Sequence, residues 1–408
     1  MRVAIISKAA NLGGGGSKVA TTLARLLQQN GHFCHHFRRD SEYGYQANQS
    51  NLFGPYEKLF KWLKYRFQSL GFQESVPLEY PYLKSEMKRL KIDIIHFHDI
   101  TTALSPITIA LLSRHFTIVW TMHDFSPFTG GCINPLGCAR FTSYCGKCPQ
   151  KLSWPVRGTL DLTRFHLRLK RWLHSKKLHL VSPSIFLKSQ ASLSGVDPKK
   201  ISVINNSVDT NTFFPMDKSE VKITLGLNPQ KLTLLIIAYR INSPFKGTDD
   251  ALKVLHSLGS NIQIIVVGKV TPTDKQHFEG LDCTFVGYVT EEEQLNKLYN
   301  AADIFLNCSK ADNFPLVVLE SLAAGTPVYG YATGGIVEMI TNGINGYLVK
   351  TGNWKELYSE IAMLRIEDLK LQSTTSRNVA LESYSDEVFI NKTVSLYKKL
   401  LRNNDSLS

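Results

Sequence analysis

A short apolar run, Ile304-Phe305-Leu306, is bounded by polar residues, followed by a polar loop, and then by a helical pattern from Pro315 to Ala324. A run this short and this apolar predicts a strand buried on both faces, the kind found in parallel sheets. Gly325 stops the helix and Pro327 opens a new strand. Pro315 suits the first helical position, with Asp312 and Asn313 near the cap. Strand–loop–helix–strand units build open α/β sheets, which bind ligands beyond the carboxyl ends of their strands. Asp312 and Glu320, eight positions apart, both fall near such an end. By residue type alone they read equally well as a capping aspartate and a solvated helix glutamate.

The unit recurs along the chain. Val3 to Ser7 is a predicted strand, Asn11 to Lys18 a glycine-rich loop, and Val19 to Asn30 a helix ending at Gly31. Such turns bring backbone N–H groups to an anion. The loop lacks the Gly-Lys-Ser/Thr of a P-loop, and Val19 stands where a dinucleotide fingerprint needs its third glycine. Leu232 to Ala238 is another buried strand. Arg240 and Lys246 follow it, before a helix from Thr248. They are either surface charges or a fork and a point charge for phosphate oxygens. Ile92 to His98 ends in two histidines on one face, His96 and His98, with Asp99 next. These suit a metal pair or, more simply, a polar strand end. Phe116 to Asp124 is a strand that delivers His123 to its carboxyl end. Further strands are expected at His179 to Ser182, Ile262 to Gly268 and within Gly343 to Lys350. A last helix spans Tyr384 to Leu401, with Tyr397 and Leu400 on its apolar face, and the final few residues are expected to be disordered.

A chain of 408 residues is long for one core, so two domains are expected. Residues 1–200 carry 28 Lys and Arg against 11 Asp and Glu, whereas residues 201–408 carry 19 against 23. A basic half calls for an anionic partner: a membrane surface, a lipid phosphate or a nucleic acid. No run of 18 apolar residues occurs, and Arg2 to Ser7 reads as a first strand rather than a signal peptide, so a cytoplasmic protein with reduced cysteines is expected. Residues 54–72 and 164–177 interleave aromatics with Lys and Arg at helical spacing. Each is either an interfacial membrane helix or a core-packed surface helix. Four of seven cysteines, Cys132, Cys138, Cys145 and Cys148, fall within seventeen residues. They could wrap a structural Zn²⁺, form two disulfides, or stay unligated.

Several dispersed motifs, in order, resemble those of the retaining glycosyltransferases of family 4. Asp312-x7-Glu320 before Ala-Ala-Gly-Thr-Pro-Val resembles the family's acid-x7-acid signature, with Asp where Glu is usual at the first acid. Trp-Thr-Met-His123-Asp124 resembles its Thr-x-His-Asp element. Asn205 to Pro215 resembles its interdomain segment. Arg240 and Lys246-Gly247 resemble its Arg-x4-Lys-Gly pair, with five residues between instead of four. Thr284 to Val289 resembles the segment flanking the base. The cysteine string resembles that of a subgroup acting in exopolysaccharide and O-antigen assembly, including colanic acid transferases.

The resemblance implies a GT-B fold: two Rossmann-like, doubly wound α/β domains facing a cleft. Residues 1–205 would take the acceptor, 216–384 the nucleotide sugar, and a helix at 385–402 would cross back to the first domain. It implies roles for His123, Asp312, Arg240 and Lys246 in catalysis. Gly15, Gly16, Val289, Asn313, Phe314, Pro315, Leu316, Glu320, Gly334 and Gly335 would bind substrate. The implied reaction moves a hexosyl group from a UDP- or GDP-sugar to a glycan or polyprenyl-diphosphate-linked acceptor, at the inner face of the cytoplasmic membrane, in surface polysaccharide biosynthesis. No Asp-x-Asp occurs, so no catalytic Mg²⁺ or Mn²⁺ is expected, and zinc at the cysteines is expected to be structural. Nucleic acid is not an expected partner, because the aromatics of 54–72 lie at helical spacing rather than on a strand platform. Other readings are a GT-B nucleotide-sugar epimerase, a basic zinc-containing nucleic-acid-binding protein, and an inactive scaffold.

Overall fold

Short apolar strands alternate with longer amphipathic segments, and in the computed structural model they become two parallel sheets. The structure describes all residues except 10–13, 40–43, 46, 73–74, 242, 244 and 406–408, and the side chains of 68, 404 and 405. The start of the expected glycine loop, Asn11 to Gly13, and the expected disordered end therefore lie outside the described residues.

The chain divides into two units, Met1–Asn205 with Ile390–Ser408, and Asn206–Phe389. The first contains β1 (Arg2–Ser7), α1 (Gly15–Gln29), β2 (Phe33–Arg38), β3 (Gln49–Asn51), α2 (Glu57–Leu70), α3 (Tyr80–Arg89), β4 (Ile94–Phe97), α4 (Pro106–Leu112), β5 (Thr117–Thr121), α5 (Thr163–His174), β6 (His179–Ser182), α6 (Ile185–Leu193) and β7 (Ile201–Val203). The second contains α7 (Lys218–Thr224), β8 (Leu232–Arg240), α8 (Thr248–Leu258), β9 (Ile262–Lys269), α9 (Pro272–Gln276), β10 (Cys283–Gly287), α10 (Glu292–Ala301), β11 (Ile304–Asn307), α11 (Leu316–Ala323), β12 (Val328–Tyr331), β13 (Gly346–Val349), α12 (Trp354–Ala362) and α13 (Ile366–Tyr384). A last helix, α14 (Asp386–Asp405), starts in the second unit and joins the first from Ile390.

Strand order in the first unit is β3-β2-β1-β4-β5-β6-β7, and in the second β10-β9-β8-β11-β12-β13, with parallel pairing throughout. Each order reverses direction once, between β1 and β4 and between β8 and β11. At such a reversal the connections leave on opposite faces and open a crevice beyond the strand ends.

The apolar runs read as continuous because both sheet faces are covered. In the second unit Leu235 and Phe305 enter one buried cluster, while Leu234, Ile304 and Leu306 enter another. Successive side chains point to opposite faces, so each residue finds a core. The segment after Asn205 belongs to the second unit. Val208 N–H donates to the Tyr384 carbonyl at 2.9 Å, and Phe213 joins that core. In α14, Tyr397 is fully buried in the first unit, and its hydroxyl lies 2.6 Å from His96 Nδ1. Thr121 Oγ1 meets His96 Nε2 at 2.7 Å. Both ring nitrogens are thus engaged, and the metal-pair reading of His96 and His98 loses its ligand.

Helix α2 shows how one segment answers both readings made of it. Phe60 packs on the core, while Leu59, Trp62 and Tyr65 are exposed, the last two by 59% and 70%. Lys64, grouped above with the basic surface, turns inward instead. Its Nζ lies 3.0 Å from Glu79 Oε2, with side-chain exposures of 5% and 0%. Glu79 Oε1 also accepts from Ser105 N–H and Thr108 hydroxyl, each at 2.8 Å. Removing one partner of such a pair strands the other charge, at a cost of ~3–5 kcal/mol. The exposed Lys61–Glu57 pair on the same helix is worth at most ~1 kcal/mol. Lys64→Met should therefore lower the urea midpoint of unfolding markedly, whereas Lys61→Met should leave it nearly unchanged; equal midpoints for the two variants would refute this account.

Candidate active site

In the second unit the residues singled out above lie at the ends of β8 and β11, the two strands flanking the order reversal. β8 ends at Arg240, which is exposed. The loop after it turns back through hydrogen bonds from Ser243 N–H to Arg240 O at 3.2 Å and from Lys246 N–H to Ser243 O at 3.0 Å. Gly247 then caps α8 in the left-handed region, φ 63°, where a Cβ would stand 2.0 Å from the Cys308 carbonyl oxygen. Only glycine lets these two loops touch. Lys310 N–H closes the contact by donating to Phe245 O at 2.7 Å.

Lys246 Nζ consequently reaches Asp312 Oδ2 at 2.8 Å, across 66 positions of sequence. Asp312 is thus not a helix cap, contrary to its capping reading. Pro315 itself is the cap of α11 and makes no side-chain cap bond. The Asp312 carbonyl accepts from Gly335 N–H at 3.4 Å, which ties in the Gly334–Glu338 turn. Phe314 is buried against Tyr384, ring centroids 5.6 Å apart, and its carbonyl accepts from Asn206 Nδ2 at 3.0 Å. Pro315 is buried, and Asn313 and Leu316 are half-buried beside it. Glu320 is buried within α11 and accepts from the Tyr299 hydroxyl at 3.1 Å, which excludes a solvated surface glutamate. Val289 places its side chain in the core.

Two tyrosines went unnoticed in the sequence. Tyr239 and Tyr288 are exposed at the ends of β8 and β10, edge to face at 5.3 Å, with Lys269 Nζ 4.7 Å from the Tyr239 ring centre. Their position at the carboxyl ends of two strands was the available signal.

The first unit repeats this geometry at its own reversal. α1 begins at Gly15, four residues before the expected start at Val19, so Gly15 and Gly16 lie in its first turn. Gly14 is the N-cap, φ 103°, without a side-chain cap bond. A Cβ on Gly16 would stand 2.9 Å from His123 Cγ and 3.2 Å from Asp99 Cβ. The absent side chain is what brings the α1 terminus against the residues following β4 and β5. His98 Nδ1 lies 3.0 Å from His123 Nε2, with the rings stacked at 5.3 Å. Burial lowers the His123 pKa to about 4 and that of His98 well below its ordinary value, so both rings are neutral near pH 7 and one donates to the other. Burial also raises Asp124 to about 7, assisted by the neighbouring Asp99.

The four clustered cysteines line one cavity with Pro135 and Phe141. All are free thiols, and burial pushes Cys132 up to about 11, unlike a reactive thiolate. Among the described residues no three His, Cys, Asp or Glu side chains stand at ready metal-binding spacing. None of the described helices is long and apolar enough to cross a membrane.

Comparison with known proteins gives this geometry its family. The model of "Glycosyltransferase Family 4" matches residues 13–212, and that of "Glycosyl transferases group 1" matches residues 220–379. The WcaC glycosyl transferase of Escherichia coli (strain K12), named for colanic acid biosynthesis, is 29% identical over 219 residues, 52% of this chain and 51% of its own length. The D-inositol 3-phosphate glycosyltransferase of Mycobacterium sp. (strain KMS) is 29% identical over 43% of this chain and 42% of its own. The chain thus aligns with about half the length of the curated relatives it matches. Among solved structures, the sucrose-phosphate synthase of Thermosynechococcus elongatus superposes with a TM-score of 0.74 at 19% identity, covering 98% of this chain and 99% of that one. Anabaena HepE in complex with UDP gives 0.68 at 16% identity, over 98% and 100%. At such identities the likeness is one of fold, and that fold is GT-B. Two parallel-sheet units, with both family models matched in order along the sequence, establish that this chain belongs to the family 4, group 1 glycosyltransferases.

Proposed function

We propose that this protein is a retaining glycosyltransferase that moves a hexosyl group from a UDP- or GDP-sugar to a hydroxyl of a glycan or lipid-linked acceptor in surface polysaccharide assembly. The observation that carries the reading is the Lys246–Asp312 contact at the β8/β11 reversal, with Arg240 at the end of the adjoining strand and the Gly334–Gly335 turn and the α11 N-terminus beside Asp312. A nucleoside diphosphate carries charge that a cationic loop and a helix N-terminus attract. Glu320 suits ribose hydroxyls, and Asp312, released from Lys246, suits sugar hydroxyls. In the transfer, the bond between sugar C1 and the diphosphate oxygen breaks and its electron pair leaves with the diphosphate. C1 bonds the acceptor oxygen on the same face, and the hydroxyl proton departs with the nucleoside diphosphate. Arg240 and Lys246 neutralise the charge that builds on the leaving group, the work a divalent metal does elsewhere. We assign His123, held neutral by burial and oriented by His98, to alignment of the reacting centre. The UDP complex of HepE supports a nucleotide-sugar donor.

The two roles separate in a binding and turnover experiment. Glu320→Ala should weaken UDP or GDP binding at least tenfold in calorimetry, whereas Lys246→Ala should lower kcat by ~10²–10³-fold. Unchanged nucleotide affinity in Glu320→Ala would turn the argument toward an inactive scaffold, and donor turnover without acceptor toward an epimerase.

The Asp124 carboxyl gives a pH signature. Its folded pKa of about 7 stands above an unfolded value of ~3.9. Between these values the native state holds the extra proton, so stability falls as pH rises from about 4 to 7. Buried His98 and His123 act in the opposite sense below about pH 6.5, so the test is the difference between proteins: from pH 5 to 8 the thermal midpoint of Asp124→Asn should gain on that of the unaltered protein, and parallel profiles would show that the carboxyl is not buried in this way.

We further place the protein on the inner face of the cytoplasmic membrane. The outward stripe of Leu59, Trp62 and Tyr65 on α2, with Lys58 and Arg66 beside it, suits an anionic lipid surface. Each such cation contributes roughly 1 kcal/mol near that surface. The protein should pellet with anionic vesicles at low salt and be released by high salt, and Trp62→Ser should weaken pelleting. Absence of pelleting, or pelleting indifferent to salt, would remove the surface role.

A further inference from the structure

Between β5 and α5 the chain runs from Met122 to Leu162 with only two single-turn helices, Ser126–Phe128 and Arg140–Thr142. A connection this long without regular structure needs something to hold it. Part of the answer is arginine. Arg171 Nη1 donates to Ser143 O at 2.7 Å, and its Nη2 to Thr142 O at 3.0 Å. Arg140 Nη1 donates to the carbonyls of Gly146 and Lys147 at 2.7 and 2.9 Å. These contacts fold the loop so that Cys132, Cys138, Cys145 and Cys148 line a single cavity.

Three features of that cavity exceed what four idle thiols require. The main chain is pinned at two of the four positions: the Thr129 hydroxyl donates to the Cys132 carbonyl at 2.9 Å, and the Cys148 N–H donates to Asp161 Oδ2 at 2.7 Å. Such bonds beside a ligand position fix where its side chain starts from. Tight turns flank the ligand positions: Leu136 and Gly137 precede Cys138 at φ 49° and 82°, and Gly146 and Lys147 separate Cys145 from Cys148 at φ 126° and 49°. Two non-glycine residues in the left-handed region cost energy that surrounding contacts must offset. Cations are at hand: Arg140 lines the same cavity, and Lys170 is buried in α5, the helix that follows the loop. Four thiolates about a divalent ion leave a net charge of about −2, which such cations balance.

We propose that Cys132, Cys138, Cys145 and Cys148 form a structural tetrathiolate zinc site that holds the loop following His123. Among the described residues the four side chains share one cavity without standing at ready metal-binding spacing, so the ion would have to draw them together. Soft thiolates in tetrahedral array select zinc, and four protein ligands leave no position for a reacting molecule. The Thr129 hydroxyl bond to the Cys132 carbonyl ties the cluster to the chain six residues beyond His123. The proposal is independent of the transferase reading, because its readout is metal content rather than turnover.

The full-length protein is purified under reducing conditions, reconstituted with ZnCl₂, desalted and assayed for metal and for thiols that react with an aromatic disulfide. About one zinc per chain is expected, with four thiols protected until a chelator is added. Co²⁺ in place of zinc should give the visible absorption of a tetrahedral thiolate complex. Cys148→Ser should lose the metal while Cys283→Ser, outside the loop, keeps it. Less than about a tenth of an equivalent of zinc with all four thiols reactive overturns the proposal. So does a mass lower by the hydrogens of two disulfides, or zinc retained by Cys148→Ser. If the Cys148→Ser chain does not fold, the cobalt spectrum and thiol protection of the unaltered protein decide alone.

Discussion

At Gly247 the backbone passes so close to Cys308 that any side chain would strike the carbonyl. That single approach seats the loop after β8 against the loop after β11. Once they are seated, the neighbouring backbone bond from Lys310 to Phe245 forms and Lys246 is carried to Asp312. The reversal of strand order supplies the crevice, and the missing Cβ supplies the closeness. Without both, the cation and the carboxylate would sit on separate loops with no common function.

The first unit solves the same problem with a different glycine. Gly16 lets the start of α1 lie against His123 and Asp99, at the reversal between β1 and β4. The result is electrostatically opposite to the second unit. There a charged pair remains partly hydrated, whereas here burial suppresses charge. His98 and His123 are held neutral, and Asp124 retains its proton up to about pH 7. A neutral imidazole pair can orient a hydroxyl without attracting a stray anion, which fits an aligning role better than a charge-bearing one.

Net charge alone misleads about the basic half of the chain. Lys64 and Lys170 are both buried, one against Glu79 and one beside the cysteine loop, so neither contributes to an outer field. Arg140 and Arg171 spend their guanidinium groups on main-chain carbonyls. Other cations of this half stay exposed, and on α2 they lie among exposed aromatics. The internal cations order a long irregular connection, and the external ones favour an anionic surface.

Local chemistry was enough to determine the elements. Short apolar runs with polar ends became parallel strands, Gly325 and Gly31 ended helices, and the acid-x7-acid and His-Asp strings marked the residues later found at strand ends. These are decided by periodicity, chain stiffness and turn geometry, all of which act within a few residues. The tertiary structure alone decided partnership. Asp312 looked like a cap and became the partner of Lys246; Lys64 looked like surface and became a buried ion; His96 looked like a ligand and meets Tyr397, 301 positions away. Such pairings follow from which strands become neighbours, and strand order is set by burying both faces of a whole sheet at once. No window of sequence contains that condition.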